Sequence, residues 1–128
     1  MWFRKPPTTV GTGQHGEALA LDYLRGLRYT IVATNYRRSF GEIDIIAKDR
    51  DTLVFVEVKS RRSSTFGSPA EAVDARKQRQ LSRIAQEYLV SHQLAETPAR
   101  FDVIAVYLHG NHQPATIEHI RNAFELVL

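Results

Sequence analysis

Gly41 to Lys59 reads GEIDIIAKDRDTLVFVEVK, and a pair of β-strands around a charged turn is the reading that decides the fold. Ile43-Asp44-Ile45-Ile46-Ala47 leads into Lys48-Asp49-Arg50-Asp51, and Leu53 to Lys59 returns. Runs of β-branched residues bounded by turn formers signal a hairpin. Asp44, Glu57 and Lys59 stand inside strands that otherwise look buried. Each costs free energy there unless it is paired, hydrogen-bonded or bound to a metal. Alternation puts Glu57 and Lys59 on one face, about 7 Å apart. Pairing Ala47 with Thr52 sets Asp44 opposite Phe55 and diagonal to Glu57, roughly 7–8 Å away on that face. A one-residue slip would send Asp44 to the other face, so the functional reading needs an odd register.

Upstream, Gly13 to Gly26 predicts a first helix, with Gly26 suited to a left-handed C-terminal cap. Ala20, Leu21, Leu24 and Leu27 form its apolar stripe, flanked by Tyr23. Glu17 falls inside that stripe, and a carboxylate near a helix N-terminus also complements the dipole. Its core-facing placement favours a role in a site. Leu27 to Tyr36 predicts a strand, followed by Arg37 and Arg38, whose forks match phosphate oxygens but also suit a solvated loop. Residues 1–12, with Pro6-Pro7-Thr8-Thr9 and Gly11, predict an irregular arm, leaving 13–128 as one domain.

Downstream, Ser60 to Gly67 is a polar loop carrying Arg61 and Arg62. Ser68-Pro69-Ala70-Glu71 is a capping box that starts a helix running to about His92. Val73, Lys77, Leu81, Ile84 and Tyr88 make its inward stripe, with Ala85 beside it. Lys77 is a charge on that stripe; its stem can snorkel, and it stands with Arg37, Arg38, Arg61, Arg62, Arg76, Arg79 and Arg83 as a candidate nucleic-acid contact. Arg76, Arg79 and Arg83 cluster on the other side, within roughly 60° of one another. They form either a solvated face or a surface that tracks a phosphate backbone. Arg100 to Leu108 is a nearly continuous apolar run, suited to a strand covered on both faces. Asp102 near its start is placed to pair with Arg100 or a neighbouring loop. A turn and a short strand, Ala115 to Ile120, follow, and the tail Asn122 to Leu128 should dock. Helices flanking a mixed sheet of about five strands make the expected class α/β.

The 128 residues, 43% hydrophobic, suffice for one core without staples. There is no cysteine, which excludes disulfides and thiolate metal sites and suits a reducing, cytoplasmic setting. No apolar run reaches the length of a membrane span. Seventeen Lys and Arg against fourteen Asp and Glu permit nucleic-acid binding without demanding it.

Two carboxylates and a lysine converging at a sheet edge suit divalent-metal hydrolysis of a phosphodiester. Mg²⁺ or Mn²⁺ takes oxygen ligands, here Asp44, Glu57 and the Val58 carbonyl. Glu17 would bind through water or hold a second ion. Lys59 would orient or deprotonate the attacking water, or stabilise charge at phosphorus. Asp44 followed by Glu57-Val58-Lys59 resembles the Asp…Glu-x-Lys signature of the restriction-endonuclease-like superfamily, with Ile43 where its nominal proline would stand. More closely, GEALALDYL, NYRRSFGEIDIIAKD, LVFVEVKSR and RFDVIAV resemble the YraN-type family of small bacterial proteins over roughly residues 13–123. These are similar to archaeal Holliday-junction resolvases and are called predicted endonucleases. The resemblance implies Asp44 and Glu57 as metal ligands, Lys59 as catalytic lysine and Glu17 as the helix carboxylate. It also implies DNA as substrate, with branched DNA and a homodimer among the expectations.

Three rivals stand beside this reading. One is a nucleic-acid-binding or repair-scaffold protein that retains the nuclease fold without cutting. Another is a structural domain in which Glu57 and Lys59 form a buried ion pair. The third is a zinc site from His109, His112 and His119, whose spacing is poor for ligands.

Overall fold

The apolar periodicities resolve into α1 (Pro7–Gly26), β1 (Thr30–Arg38), β2 (Gly41–Asp49), β3 (Thr52–Arg61), α2 (Ala75–Ser91), β4 (Ala99–Tyr107) and β5 (Thr116–Phe124). They are seen in a computed structural model that describes residues 7–62 and 73–126. The strands lie in the order β1-β2-β3-β4-β5. All neighbours are antiparallel except β3 and β4, which are parallel and joined through α2. This is the α/β mixed sheet expected, with the expected order of elements.

Period-two alternation divides the apolar residues between two faces. On one, Ala20 and Leu24 of α1 pack on Ile45, Ala47, Val54, Val56, Ile104 and Val106. On the other, Leu81, Ile84, Ala85 and Tyr88 of α2 pack on Ile43, Ile46, Leu53, Phe55, Phe101 and Val103. Phe101 to Val106 of β4 are buried without a break, as a parallel-paired strand between two helical layers requires. Val73 is buried in the α2 layer although it precedes the helix.

The central hairpin is tighter than expected. Asp49 pairs with Thr52 and Ile45 with Val56, so Arg50 and Asp51 alone make the turn. Arg50 adopts φ 56°, the left-handed conformation that a two-residue hairpin demands. The register therefore differs by two residues from the pairing of Ala47 with Thr52. Parity survives, and the ladder continued one step brings Asp44 level with Glu57 instead of Phe55.

Both helices end where expected, α1 at Gly26 and α2 at Ser91 with His92 as its cap, but the left-handed cap of α1 falls elsewhere. Tyr29 N–H donates to Leu24 O (3.0 Å) and Arg28 N–H to Arg25 O (2.9 Å), a Schellman motif. Its left-handed residue is Arg28, at φ 71°, and not Gly26. Leu27 is consequently carried off the apolar stripe and is 45% exposed. The α2 end repeats the pattern, with Leu94 N–H on Leu89 O and Gln93 at φ 57°. Arg28→Gly should raise stability by up to about 1 kcal/mol, since a side chain in this conformation is strained. A thermal melt showing an unchanged or lower Tm would contradict that.

α1 starts at Pro7, six residues before Gly13, so residues 7–12 are helical and not an irregular arm. Residues 1–6, the Ser68 capping box and the end of the tail lie outside the described residues. Asp74 is the cap observed at the start of α2, its carboxylate accepting from Lys77 N–H at 2.9 Å. β5 runs on to Phe124, whose ring stacks on Phe101 at 4.7 Å.

Candidate active site

β2 and β3 deliver the central pair of carboxylates. Ile43 faces the α2 layer and Ile45 the α1 layer, so Asp44 sits at an irregular step between them. Its neighbour Asn35 on β1 has φ 50°, a conformation that asparagine tolerates. Asp44 Oδ2 accepts Val58 N–H at 2.8 Å, which pins it to β3 beside Glu57. It is the Val58 N–H, and not its carbonyl, that meets Asp44.

Glu57 is 7% exposed. Its Oε2 lies 3.7 Å from Lys59 Nζ and 3.5 Å from Lys77 Nζ of α2. Its Oε1 is buried without a hydrogen-bond partner among the described residues. Burial, reinforced by the facing Glu57 charge, pushes the Asp44 carboxyl from 3.8 up to about 7, against the lowering effect of the Val58 bond. Two carboxylates in one desolvated place resist ionising together.

α1 supplies the third acid. Gly16 lies so close to Ser60 of β3 that a side chain would collide with it. This close crossing brings Glu17 over the sheet edge. Asn35 Nδ2 donates to Glu17 Oε2 (3.3 Å) and to Glu42 Oε2 (3.1 Å), and Arg37 Nε donates to Glu42 Oε1 (2.7 Å). Burial raises the Glu17 carboxyl above its usual range, the Asn35 bond opposes this, and Glu42 adds to it. Glu17 thus acts on Asp44 through its charge. Among the described residues, no three His, Asp or Glu side chains are gathered closely enough to grip an ion by themselves.

The residues present nevertheless fit a divalent cation. A divalent cation would offset the charge of the buried Glu57 Oε1, unpartnered among the described residues, and of the Asp44 carboxyl raised by burial. One or two carboxylates with waters satisfy Mg²⁺. The sequence pointed to Asp44, Glu57, Lys59 and Glu17, which the fold brings to one end of the sheet. It gave no role to Glu42 or Asn35, which link Glu17 to that end. Asn35, a residue tolerant of the left-handed region, was the available signal.

The basic residues separate into two groups. Arg37 is tied to Glu42, and Arg38 to Glu87 and the Tyr36 hydroxyl, so the pair is not an unengaged loop. Arg83 stacks over Phe40 at 4.0 Å. Arg76 and Arg79 are exposed, with no carboxylate partner among the described residues. Arg61 closes β3, and Arg62 follows it at the surface.

The histidines make no zinc site. His119 Nε2 is 2.7 Å from Asp102 Oδ2 and its Nδ1 is 3.0 Å from Tyr23 OH, whereas His109 meets Thr116. Asp102, fully buried, also accepts from Arg100 Nε (3.0 Å) and Asn122 N–H (3.0 Å). Arg100 in turn reaches Tyr29 OH and Asp49. This network clamps α1, β1, β4, β5 and the hairpin turn together.

A family model described as "Uncharacterised protein family UPF0102" matches residues 16–106, from the glycine that seats Glu17 to the end of the buried run of β4. A UPF0102 protein of Geotalea uraniireducens is 50% identical over 114 residues, 89% of each chain. One from Geobacter sulfurreducens is 48% identical over 125 residues, 91% of this chain and 97% of the relative. One from Syntrophus aciditrophicus is 51% identical over 115 residues, 90% and 89% of the two. None of these names states an activity. No helix is long and apolar enough to cross a membrane among the described residues.

Proposed function

The chain belongs to the UPF0102 family, and for this member we propose a Mg²⁺- or Mn²⁺-dependent endonuclease acting on DNA phosphodiester bonds. The observation that carries the proposal is Asp44 held by the Val58 N–H beside Glu57, whose buried Oε1 has no partner among the described residues while two lysines approach Oε2. The resemblance to restriction-endonuclease-like and YraN-type proteins supports the same assignment and adds branched DNA as the preferred form.

Asp44 and Glu57 would hold the cation with the Val58 carbonyl, and Glu17 would assist through water. A divalent ion there supplies polarisation of the phosphate and acidification of a water. Lys59, two residues along the same face from Glu57, orients that water or accepts its proton and neutralises charge at phosphorus. Arg76 and Arg79 hold the phosphate backbone, with Arg61 and Arg62 at the strand end. Arg37, Arg38 and Arg83 extend that surface once exchanged from their present partners.

Cleavage of labelled single-stranded, duplex, flapped and four-way-junction DNA with Mg²⁺, Mn²⁺ or EDTA tests the proposal. Products that need the metal and vanish in folded Asp44→Ala and Lys59→Ala proteins are expected. Junction binding without cutting, equal in wild type and both variants, would instead identify a non-catalytic DNA-binding protein.

A further inference from the structure

Lys77 is placed against two physical preferences. It occupies the inner stripe of α2, one turn after buried Val73 and one turn before buried Leu81. The Asp74 cap accepts its N–H, so it also stands in the first helical turn, where the macrodipole disfavours a cation. Snorkelling would carry the ammonium out to water. Instead, Nζ lies 3.5 Å from Oε2 of the buried Glu57. Lys59 reaches the same oxygen at 3.7 Å. Both separations exceed a direct N–H···O bond, so a single oxygen loosely serves two ammonium groups while Oε1 is left without a partner among the described residues.

We infer that Lys77 is a second lysine of the active site, the resident counter-cation of Glu57, which passes to a substrate phosphate when a divalent ion takes that carboxylate. The inference rests on the reading of Asp44 and Glu57 as cation ligands. An ion on Glu57 removes the attraction that holds Lys77 and adds a like charge beside it. The ammonium then binds a phosphate oxygen as a point charge. Arg76, adjacent in the same turn, and Arg79 are exposed, with no acid holding them among the described residues, which extends a phosphate path outward from Lys77. Cation and DNA should therefore bind cooperatively, each relieving an interaction that hinders the other.

The test needs no cleavage. Mn²⁺ is titrated calorimetrically into the full-length wild type, Lys77→Met and Lys77→Arg. Binding of a labelled duplex is then followed by anisotropy with Ca²⁺ or with EDTA. Lys77→Met should bind Mn²⁺ roughly three- to tenfold more tightly, having lost a competitor, and the duplex more weakly by a similar factor. The gain in DNA affinity on adding Ca²⁺ should shrink in Lys77→Met and return in Lys77→Arg. Lys77→Met matching wild type in both affinities overturns the inference but leaves the Asp44–Glu57 site standing. Mn²⁺ binding to neither wild type nor variant overturns both.

Discussion

Asp44→Asn is expected to stabilise the metal-free protein by about 2–4 kcal/mol at pH 8 and to abolish its response to divalent cations. In the folded chain, burial and the Glu57 charge raise the Asp44 carboxyl from 3.8 to about 7. A group with a raised folded pKa gives its full stabilisation below its unfolded pKa. That stabilisation is lost as pH climbs through the folded value, so the wild type should weaken between about pH 4 and pH 7. Glu17, also raised, acts in the same direction. Asparagine keeps an acceptor for Val58 N–H, carries no charge, and should flatten this decline. Mg²⁺ or Mn²⁺ should raise the wild-type Tm at pH 8, because a ligand that binds only the folded state stabilises it. Melts at pH 4, 6 and 8 with and without metal check all of this. A less stable Asp44→Asn protein at pH 8 would mean that Asp44 contributes structure and not a poised charge.

Asp102→Ala should cost about 3–5 kcal/mol, enough to remove much of the 5–15 kcal/mol that holds a domain of this size. Burial alone would raise the Asp102 carboxyl, but hydrogen bonds from His119, Arg100 and Asn122 outweigh it and hold the group below its ordinary 3.8. This contribution has the opposite sign to that of Asp44: it is present above about pH 4 and lost as pH falls through the lowered value. Alanine would strand the Arg100 guanidinium, whose side chain is 16% exposed, and the His119 ring at 6%. Asp102→Asn should cost less. Its carbonyl still accepts from Arg100 and Asn122, and its amide donates to His119 once that ring's hydrogen moves from Nε2 to Nδ1. Equal urea midpoints for Asp102→Ala and wild type would show that the network is incidental.

Most of the architecture was legible because it rests on local periodicity. Alternating Ile, Val and Phe around Asp49 to Thr52 make the hairpin wherever it is placed, and the stripe from Leu81 to Tyr88 can only be an inward helix face. The same alternation made Glu57 and Lys59 neighbours and put Asp44 within reach. Helix ends were less legible. Gly26 was the natural left-handed cap by composition, yet that conformation falls two residues beyond the end of α1, at Arg28, because burial of Tyr29 against the sheet decides where the chain must turn.

Local spacing alone gives the order α1, three strands, α2, two strands, and the expectation that Asp44, Glu57 and Lys59 share one sheet end. Those follow from spacing along a strand or helix, which neighbouring residues impose on one another. Packing across the fold decides that the hairpin pairs Ile45 with Val56, that Lys77 crosses from α2 to Glu57, and that Asp102 binds His119. The first depends on a two-residue turn closed by Arg50 at positive φ. The others depend on how far each helix and edge strand lies from the sheet centre, a distance set by packing between segments remote in the chain.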